Sequence, residues 1–175
     1  ILQEGVPQSW SYHPHYKERK LVTIQQANFI LVRPYLEHPP IFGLVAGSFA
    51  LASGQTDFST IVLSKMRVLS LLLGMISVVL VYWLAMLLYG KKVGLLAAVM
   101  YGGTPTVAIG SRLVQNENFF IPVWLGMLIL LWYYLKTKRI VYRTMVGLLG
   151  GLLILSKIPW IAGVFSAAAI LWFAQ

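Results

Sequence analysis

The chain has no cysteine, and its five acidic residues are outnumbered by fourteen lysines and arginines. The missing thiols exclude disulfides, thiolate metal sites and cysteine nucleophiles, without identifying a compartment. Charge of either sign is sparse, at 11% of residues against 58% apolar, and the mean hydropathy is +0.75. That is more apolar side chain than the core of a soluble domain uses, and it marks an integral membrane protein. There is no period-2 alternation long enough for a transmembrane barrel, no internal repeat and no GK[ST] phosphate loop. The net charge of +9 does not point to nucleic acid, because the basic residues sit mainly between apolar segments, where charge sets topology.

Five stretches carry no charge at all: Val68 to Gly90, Val93 to Ser111, Asn118 to Leu135, Thr144 to Ser156 and Ile158 to Gln175. The first three match the roughly 20 residues that a bilayer crossing needs, and Lys157 divides the last two into shorter pieces. Backbone polar groups in lipid must be satisfied within the segment, so these stretches are predicted helices. The fold class expected is all-α and polytopic, with four or five transmembrane helices over residues 68–175 after an outer, non-cytoplasmic loop over residues 1–67. The run Gly102, Gly103, Thr104, Pro105 is expected to kink or break its helix, and Gly147, Gly150 and Gly151 to allow close helix packing. The chain starts at Ile1 without a methionine and stops in or near an apolar run, and so reads as a piece of a longer protein.

Lys91 and Lys92 follow the first long run; Lys136, Lys138, Arg139 and Arg143 follow the third, with no acid among them. Both turns are assigned to the cytoplasm. The turn "SRLVQNENFF" then lies on the outer face. A full crossing by Ile41 to Ser53 would invert every later helix, and these thirteen residues span only ~20 Å against a hydrocarbon core of roughly 30 Å. An interfacial or re-entrant helix near 41–53 is expected instead.

This topology gathers ionisable residues at one face: Glu37 and His38 before the pair Pro39-Pro40, Lys65 and Arg67 before the first span, Arg112 and Glu117 in the outer turn, and Lys157. Trp10, Tyr12, Tyr35, Trp124 and Trp160 ring them. Charge at such depth is costly and usually faces a protein interior or a watery cavity. Arginine can grip phosphate, a carboxylate can take a proton from a hydroxyl, and the helices can accommodate a lipid tail. Plainer readings stand beside these. Glu37 can cap the helix that starts near Pro39, His38 can rest at the interface, and Arg67, Arg112 and Lys157 can anchor span ends. Glu117 can bind sugar or pair with Arg112. His13 and His15 in "HPH" read as solvated loop rather than metal ligands, and no metal or cofactor is expected.

Taken in order, "EHPPIFGLVAGSFALASG", the Arg67 entry to a long helix, "YGKKVGLLAA", the Arg112 turn and "LSKIPW" resemble the membrane-embedded GT-C glycosyltransferases. The similarity is to the branch of aminoarabinose transferases, polyprenyl-phosphate-sugar transferases and protein O-mannosyltransferases. The resemblance implies transfer of a sugar from a polyprenyl-phosphate donor to a lipid, glycan or protein acceptor on the non-cytoplasmic face. It implies a supporting acid at Glu37, substrate contacts from His38, Arg67, Arg112, Glu117 and Lys157, and a main catalytic acid that would precede Ile1, leaving this piece inactive alone. His38 stands where many aminoarabinose transferases have lysine, as protein mannosyltransferases do. A bacterial inner membrane, toward which the lack of N-glycosylation sequons points, and an endoplasmic reticulum both fit. A transporter or non-catalytic membrane subunit is the competing class, in which the buried charges would line a path.

Overall fold

The structure is a computed structural model and describes residues 9–11, 14–24, 27–33, 40–56, 61–156 and 161–173. It is mostly helical, as expected, but the segment before the first helix holds a sheet that the all-α reading did not include. Strands β1 (Ser9–Trp10), β2 (Glu18–Ile24) and β3 (Ala27–Arg33) pair antiparallel in the order β1-β3-β2, with Glu18 opposite Arg33 and Ile24 opposite Ala27. Valine, isoleucine, threonine and phenylalanine suit these strands. Thr23 Oγ1 donates to Asn28 Oδ1 at 2.8 Å across the pair. The alternation that announces a strand is blurred in β2, where Glu18, Arg19 and Lys20 put charge on both faces.

Helix α1 (Ile41–Ala52) follows Pro40 and fulfils the helix expected near 41–53; at twelve residues it reaches only ~18 Å. It closes in a paired turn: Gly54, at φ 75°, bonds from its N–H to Leu51 O, and Gln55 N–H reaches Ala50 O at 2.9 Å. Glycine takes that positive φ without a Cβ clash.

Helix α2 (Leu63–Tyr89) is 27 residues long, about 40 Å, more than the roughly 30 Å of a hydrocarbon core. Its two sides are reversed relative to a soluble helix. Ser70 and Ser77 are buried, while Val68, Leu72, Met75, Val79 and Trp83 form an exposed apolar stripe. Small residues at helix contacts and large apolar ones outward are the pattern that lipid favours. Ser77 Oγ satisfies itself on Leu73 O at 2.9 Å. Gly90, at φ 91° and ψ 169°, sits in backbone space open almost only to glycine. It turns the chain straight into α3 (Lys91–Gly103).

The run Val93 to Ser111 is not one span. Pro105 has no N–H to donate and drives Thr104 to an extended backbone, so α3 stops and α4 (Pro105–Gly110) starts anew. Helix α5 (Asn116–Thr137) is the hub, packed against α2, α6 (Ile140–Ile154) and α7 (Ile161–Phe173). Phe120, Met127 and Leu131 of α5 form the core with Val146 and Leu153 of α6 and Ala167 of α7. Among the described residues two helices, α2 and α5, are long and apolar enough to cross a membrane by themselves; α1, α6 and α7 are shorter apolar helices.

The helices alternate in direction, and contacts near the turns identify the ends. Trp83 meets Tyr133 edge-on at 6.5 Å, and Tyr133 stacks on Tyr142 at 5.5 Å. The turns at Gly90 and at Lys138-Arg139 therefore share one end of the bundle, bringing Lys91 and Lys92 to the same end as Lys136, Lys138, Arg139 and Arg143.

The α2–α3 hairpin depends on Gly94, where a Cβ would come within 2.9 Å of Tyr82 O and 3.0 Å of Met86 Cβ; at Gly147 nothing lies within 4 Å. Gly94→Ala is expected to lower stability by about 1–3 kcal/mol through overpacking against backbone. Gly147→Ala should be neutral or stabilise by up to about 1 kcal/mol, because the helix gains a better former without a clash. Thermal unfolding of both variants in the same detergent checks the pair.

Candidate functional site

The end of the bundle opposite the basic turns is assembled by side-chain amides that bond to backbone carbonyls. At the start of α2, buried Gln55 accepts through Oε1 from the Val62 N–H at 2.5 Å, and its Nε2 lies 4.0 Å from Met66 Sδ. Lys65 Nζ reaches Ser53 O at 3.5 Å. The end of α1 is thereby latched to the start of α2. Arg67 lies on the second turn of α2, just past this latch.

The turn that follows α4 docks on α2 farther along. At Gly74 a Cβ would lie 2.9 Å from Ser111 Cβ, so glycine is what lets the turn approach. Arg67 lies two helical turns before Gly74 on nearly the same side of α2. Counted from Gly90 at about 1.5 Å per residue, Gly74 stands ~24 Å along the helix and Arg67 ~35 Å. Ser111 thus meets α2 roughly 10 Å closer than Arg67 to the Gly90 end of the helix.

Asn118 holds this turn in place. It is 7% exposed, and its Nδ2 donates to Gly110 O at 3.0 Å and to Leu113 O at 2.6 Å. Two carbonyls that follow a broken helix are thereby satisfied away from water, where an unpaired one would be costly. Asn116, the first residue of α5, makes the second link: its Nδ2 donates to Ser156 O, just past the end of α6. Ser156 is fully buried, and its Oγ donates to Leu153 O at 2.7 Å. Three chain segments, the end of α4, the start of α5 and the end of α6, therefore meet within one residue's reach of each other.

Of the residues that the sequence singles out, Arg67 and Arg112 are exposed and Glu117 is half-buried in the first turn of α5. A carboxylate there is favoured by the positive end of the helix dipole. Among the described residues Arg112 and Glu117 form no ion pair with each other. The one-turn spacing expected for them does not arise, because α5 begins only at Asn116 and Arg112 belongs to the preceding turn. Glu37, His38 and Lys157 lie outside the described residues, as do Tyr12, Tyr35 and Trp160. Lys157 does follow Ser156 in the chain. Trp124 is on α5, stacked with Phe120 at 6.3 Å, with its Nε1 3.2 Å from where a Cβ on Gly163 would be. It packs α7 onto α5 rather than ringing an open cleft. His15 is exposed and lies against Tyr16. Among the described residues no cluster of His, Asp or Glu could hold a metal ion.

Sequence reasoning passed over Gln55, Asn116 and Asn118, which carry no charge. The available signal was the "QNEN" run itself, three amides at the mouth of an apolar helix, where unpaired polar groups are prohibitively costly in lipid.

Loss of the Asn118 amide should release the turn. Asn118→Leu is expected to cost about 1–3 kcal/mol by stranding buried carbonyls. It should also speed amide hydrogen exchange over residues 110–115 while leaving the Gly90 turn unchanged, which exchange mass spectrometry would read.

The family model for dolichyl-phosphate-mannose-protein mannosyltransferase matches residues 37–175, well over half of the chain. No curated protein and no solved structure matches it.

Proposed function

The chain belongs to the dolichyl-phosphate-mannose-protein mannosyltransferase family, and from that premise we propose that it transfers a sugar from a polyprenyl-phosphate donor to a hydroxyl acceptor at the bundle end that carries Arg67, Arg112 and Glu117. The family makes the protein a glycosyltransferase of membranes whose sugar donors are polyprenyl-phosphate-linked. The observation that carries the location is the segregation of charge. The two basic turns share one end, while the Arg112 turn and half-buried Glu117 lie at the other.

In this reading α2 and α5 cross the membrane, α3 with α4, α6 and α7 complete a multi-pass bundle, and the basic turns face the cytoplasm. The amide-latched end then faces outward, together with the sheet and α1, on the periplasmic side of a bacterial inner membrane or in a lumen.

The reaction is a displacement at the anomeric carbon. The acceptor oxygen forms the new bond, the bond to the phosphate oxygen breaks, and polyprenyl phosphate leaves with the electron pair, inverting the configuration. Arg112 and Lys157 neutralise the departing phosphate, and Arg67, standing farther out, assists at its rim. Glu117 and His38 bond sugar hydroxyls, and Glu37 supports the carboxylate that takes the acceptor proton. The lipid tail lies along the apolar stripe of α2.

Two experiments test this. Arg112→Gln should lower sugar transfer from a synthetic polyprenyl-phosphate donor about 10-fold or more, by removal of one charge-assisted phosphate contact, while Arg139→Gln at the other end leaves it unchanged. Equal loss in both, or loss in neither, would refute the assignment. Because the chain lacks cysteine, a single cysteine at Lys92 or at Leu113 reports sidedness directly. The Leu113 site should react with an impermeant maleimide added from outside, and the Lys92 site only after permeabilisation.

A further inference from the structure

The few acids of this chain are spread as unevenly as its cations. Glu4, Glu18, Glu37 and Asp57 all precede α2, and the fifth, Glu117, lies in the first turn of α5 at the amide-latched end. The end formed by the Gly90 and Lys138-Arg139 turns carries six cations, Lys91, Lys92, Lys136, Lys138, Arg139 and Arg143, all exposed. Among the described residues Lys91, Lys92, Lys136, Arg139 and Arg143 form no ion pair. No acid on α2 to α7 stands at this end to balance them.

The two turns are tied side by side. Trp83 lies about two helical turns before Gly90, and Tyr133 just over one before Lys138. Their edge contact at 6.5 Å, with the stack of Tyr133 on Tyr142 at 5.5 Å, joins α2, α5 and α6 directly beneath both turns. Lys136 Nζ sits 5.8 Å from the Trp132 ring centre and Lys138 Nζ 5.7 Å from that of Tyr134, distances at which a ring face attracts an ammonium.

Helix dipoles balance only part of the charge. Lys136, in the last turn of α5, is favoured by the carbonyl end of that helix. Lys91 and Lys92 instead open α3, and Arg139 and Arg143 flank the first turn of α6, at the positive ends of those helices. Neither helix start has a side-chain cap or an acid in its first turn. Four cations therefore stand where the protein's own field disfavours them. Topology is served by basic residues anywhere in these turns, and does not explain two uncapped amino ends.

The surroundings indicate what would meet this charge. Leu88 and Tyr89 precede the Gly90 turn, Ile140 and Val141 follow Arg139, and all four are exposed. Cations bordered by apolar and aromatic surface suit a phospholipid, whose phosphate meets the cations and whose acyl chains cover the apolar rim. An acidic protein would answer the charge and leave the rim bare.

We propose that this end binds the anionic headgroup of a membrane phospholipid, between the Gly90 turn and the Lys138-Arg139 turn. Lysine and arginine contact the phosphate, and the amino ends of α3 and α6 add positive partial charge. The lipid belongs to the leaflet opposite the proposed donor, and its binding is separate from sugar transfer. It relieves the repulsion among the cations and ties the α2–α3 and α5–α6 hairpins together, so the bound protein is the more stable.

The test titrates the protein, as its gene encodes it and in a neutral detergent, with phosphatidylglycerol, phosphatidylcholine, inorganic phosphate or polyglutamate, and reads thermal unfolding. The variants are Lys91→Gln/Lys92→Gln, Arg139→Gln/Arg143→Gln, and Lys91→Arg/Lys92→Arg, which keeps the charge. Lys17→Gln/Arg19→Gln/Lys20→Gln, on and beside β2, removes more charge elsewhere. Sugar transfer, which none of these residues serves, verifies that each variant is folded.

Phosphatidylglycerol is expected to raise the unfolding temperature saturably, and phosphatidylcholine and inorganic phosphate are not. Each glutamine pair at the basic turns should weaken the apparent affinity about 10-fold or more, while the arginine pair and the β2 variant retain it. Equal protection by phosphatidylcholine or by inorganic phosphate would overturn the proposal, as would protection by polyglutamate alone, which would mark an acidic protein partner. Equal loss in the β2 variant would reduce the effect to net charge, and loss in only one glutamine pair would remove the headgroup from between the turns; either result overturns the site.

Discussion

In lipid an apolar side chain gains little by turning away from its surroundings, so helices are held by close approach and by polar groups with nowhere else to bond. This constraint explains where the protein places its small and amide residues. Gly94 lets α3 lie against the backbone of α2, Gly74 admits the turn at Ser111, and Gly150 and Gly163 bring Val164 and Trp124 into contact between α5, α6 and α7. The amides of Gln55, Asn116 and Asn118 bond to backbone groups left open where helices begin or end. Most of the large side chains of α2, by contrast, stay at least partly exposed, Met66 excepted.

The same constraint makes the two ends of the bundle unlike. At one end the turns are short, a single Gly90 and the pair Lys138-Arg139, with Lys138 in a left-handed conformation at φ 55° that ends α5 at once. Such turns carry lysine and arginine to the surface. At the other end α3 is broken at Thr104-Pro105, the turn from Ser111 to Gln115 is longer, and α1 folds back on α2. Broken helices expose carbonyls and amides that a compact hairpin would have consumed. They also leave Arg112 exposed and Glu117 half-buried at that end of the bundle, which is where the proposed function places the donor.

How much of this could be read from the residues differs from element to element. The long uncharged runs of α2 and α5 were legible, because twenty apolar residues without charge have few alternatives. The breaker at Thr104-Pro105 was legible as well. The short helix near 41–53 was too, because its length and the proline before it fix its extent. The sheet was not. Charges at Glu18, Arg19 and Lys20 fall on both faces of β2, and strand pairing is a non-local choice that a single run does not announce. Family membership was within reach from the order of "EHPP", "YGKK" and "LSKIP", each ordinary alone. Around the candidate site, charge drew attention to Arg67, Arg112 and Glu117, while the uncharged amides that tie the helix ends beside them, Gln55, Asn116 and Asn118, gave no such sign. The expected pairing of Arg112 with Glu117 failed for a local reason, since a helix that starts at Asn116 cannot place both on its surface.

The central claim is that the phosphate of a lipid-linked sugar is bound at the amide-latched end. Photo-crosslinking of the protein by a polyprenyl-phosphate analogue, with the reactive group beside the phosphate and the labelled peptides read by mass spectrometry, tests it most directly. Labels within residues 63–70 and 110–118 are the result this account predicts. Labels confined to residues 88–93 and 136–143, at the basic turns, would contradict it.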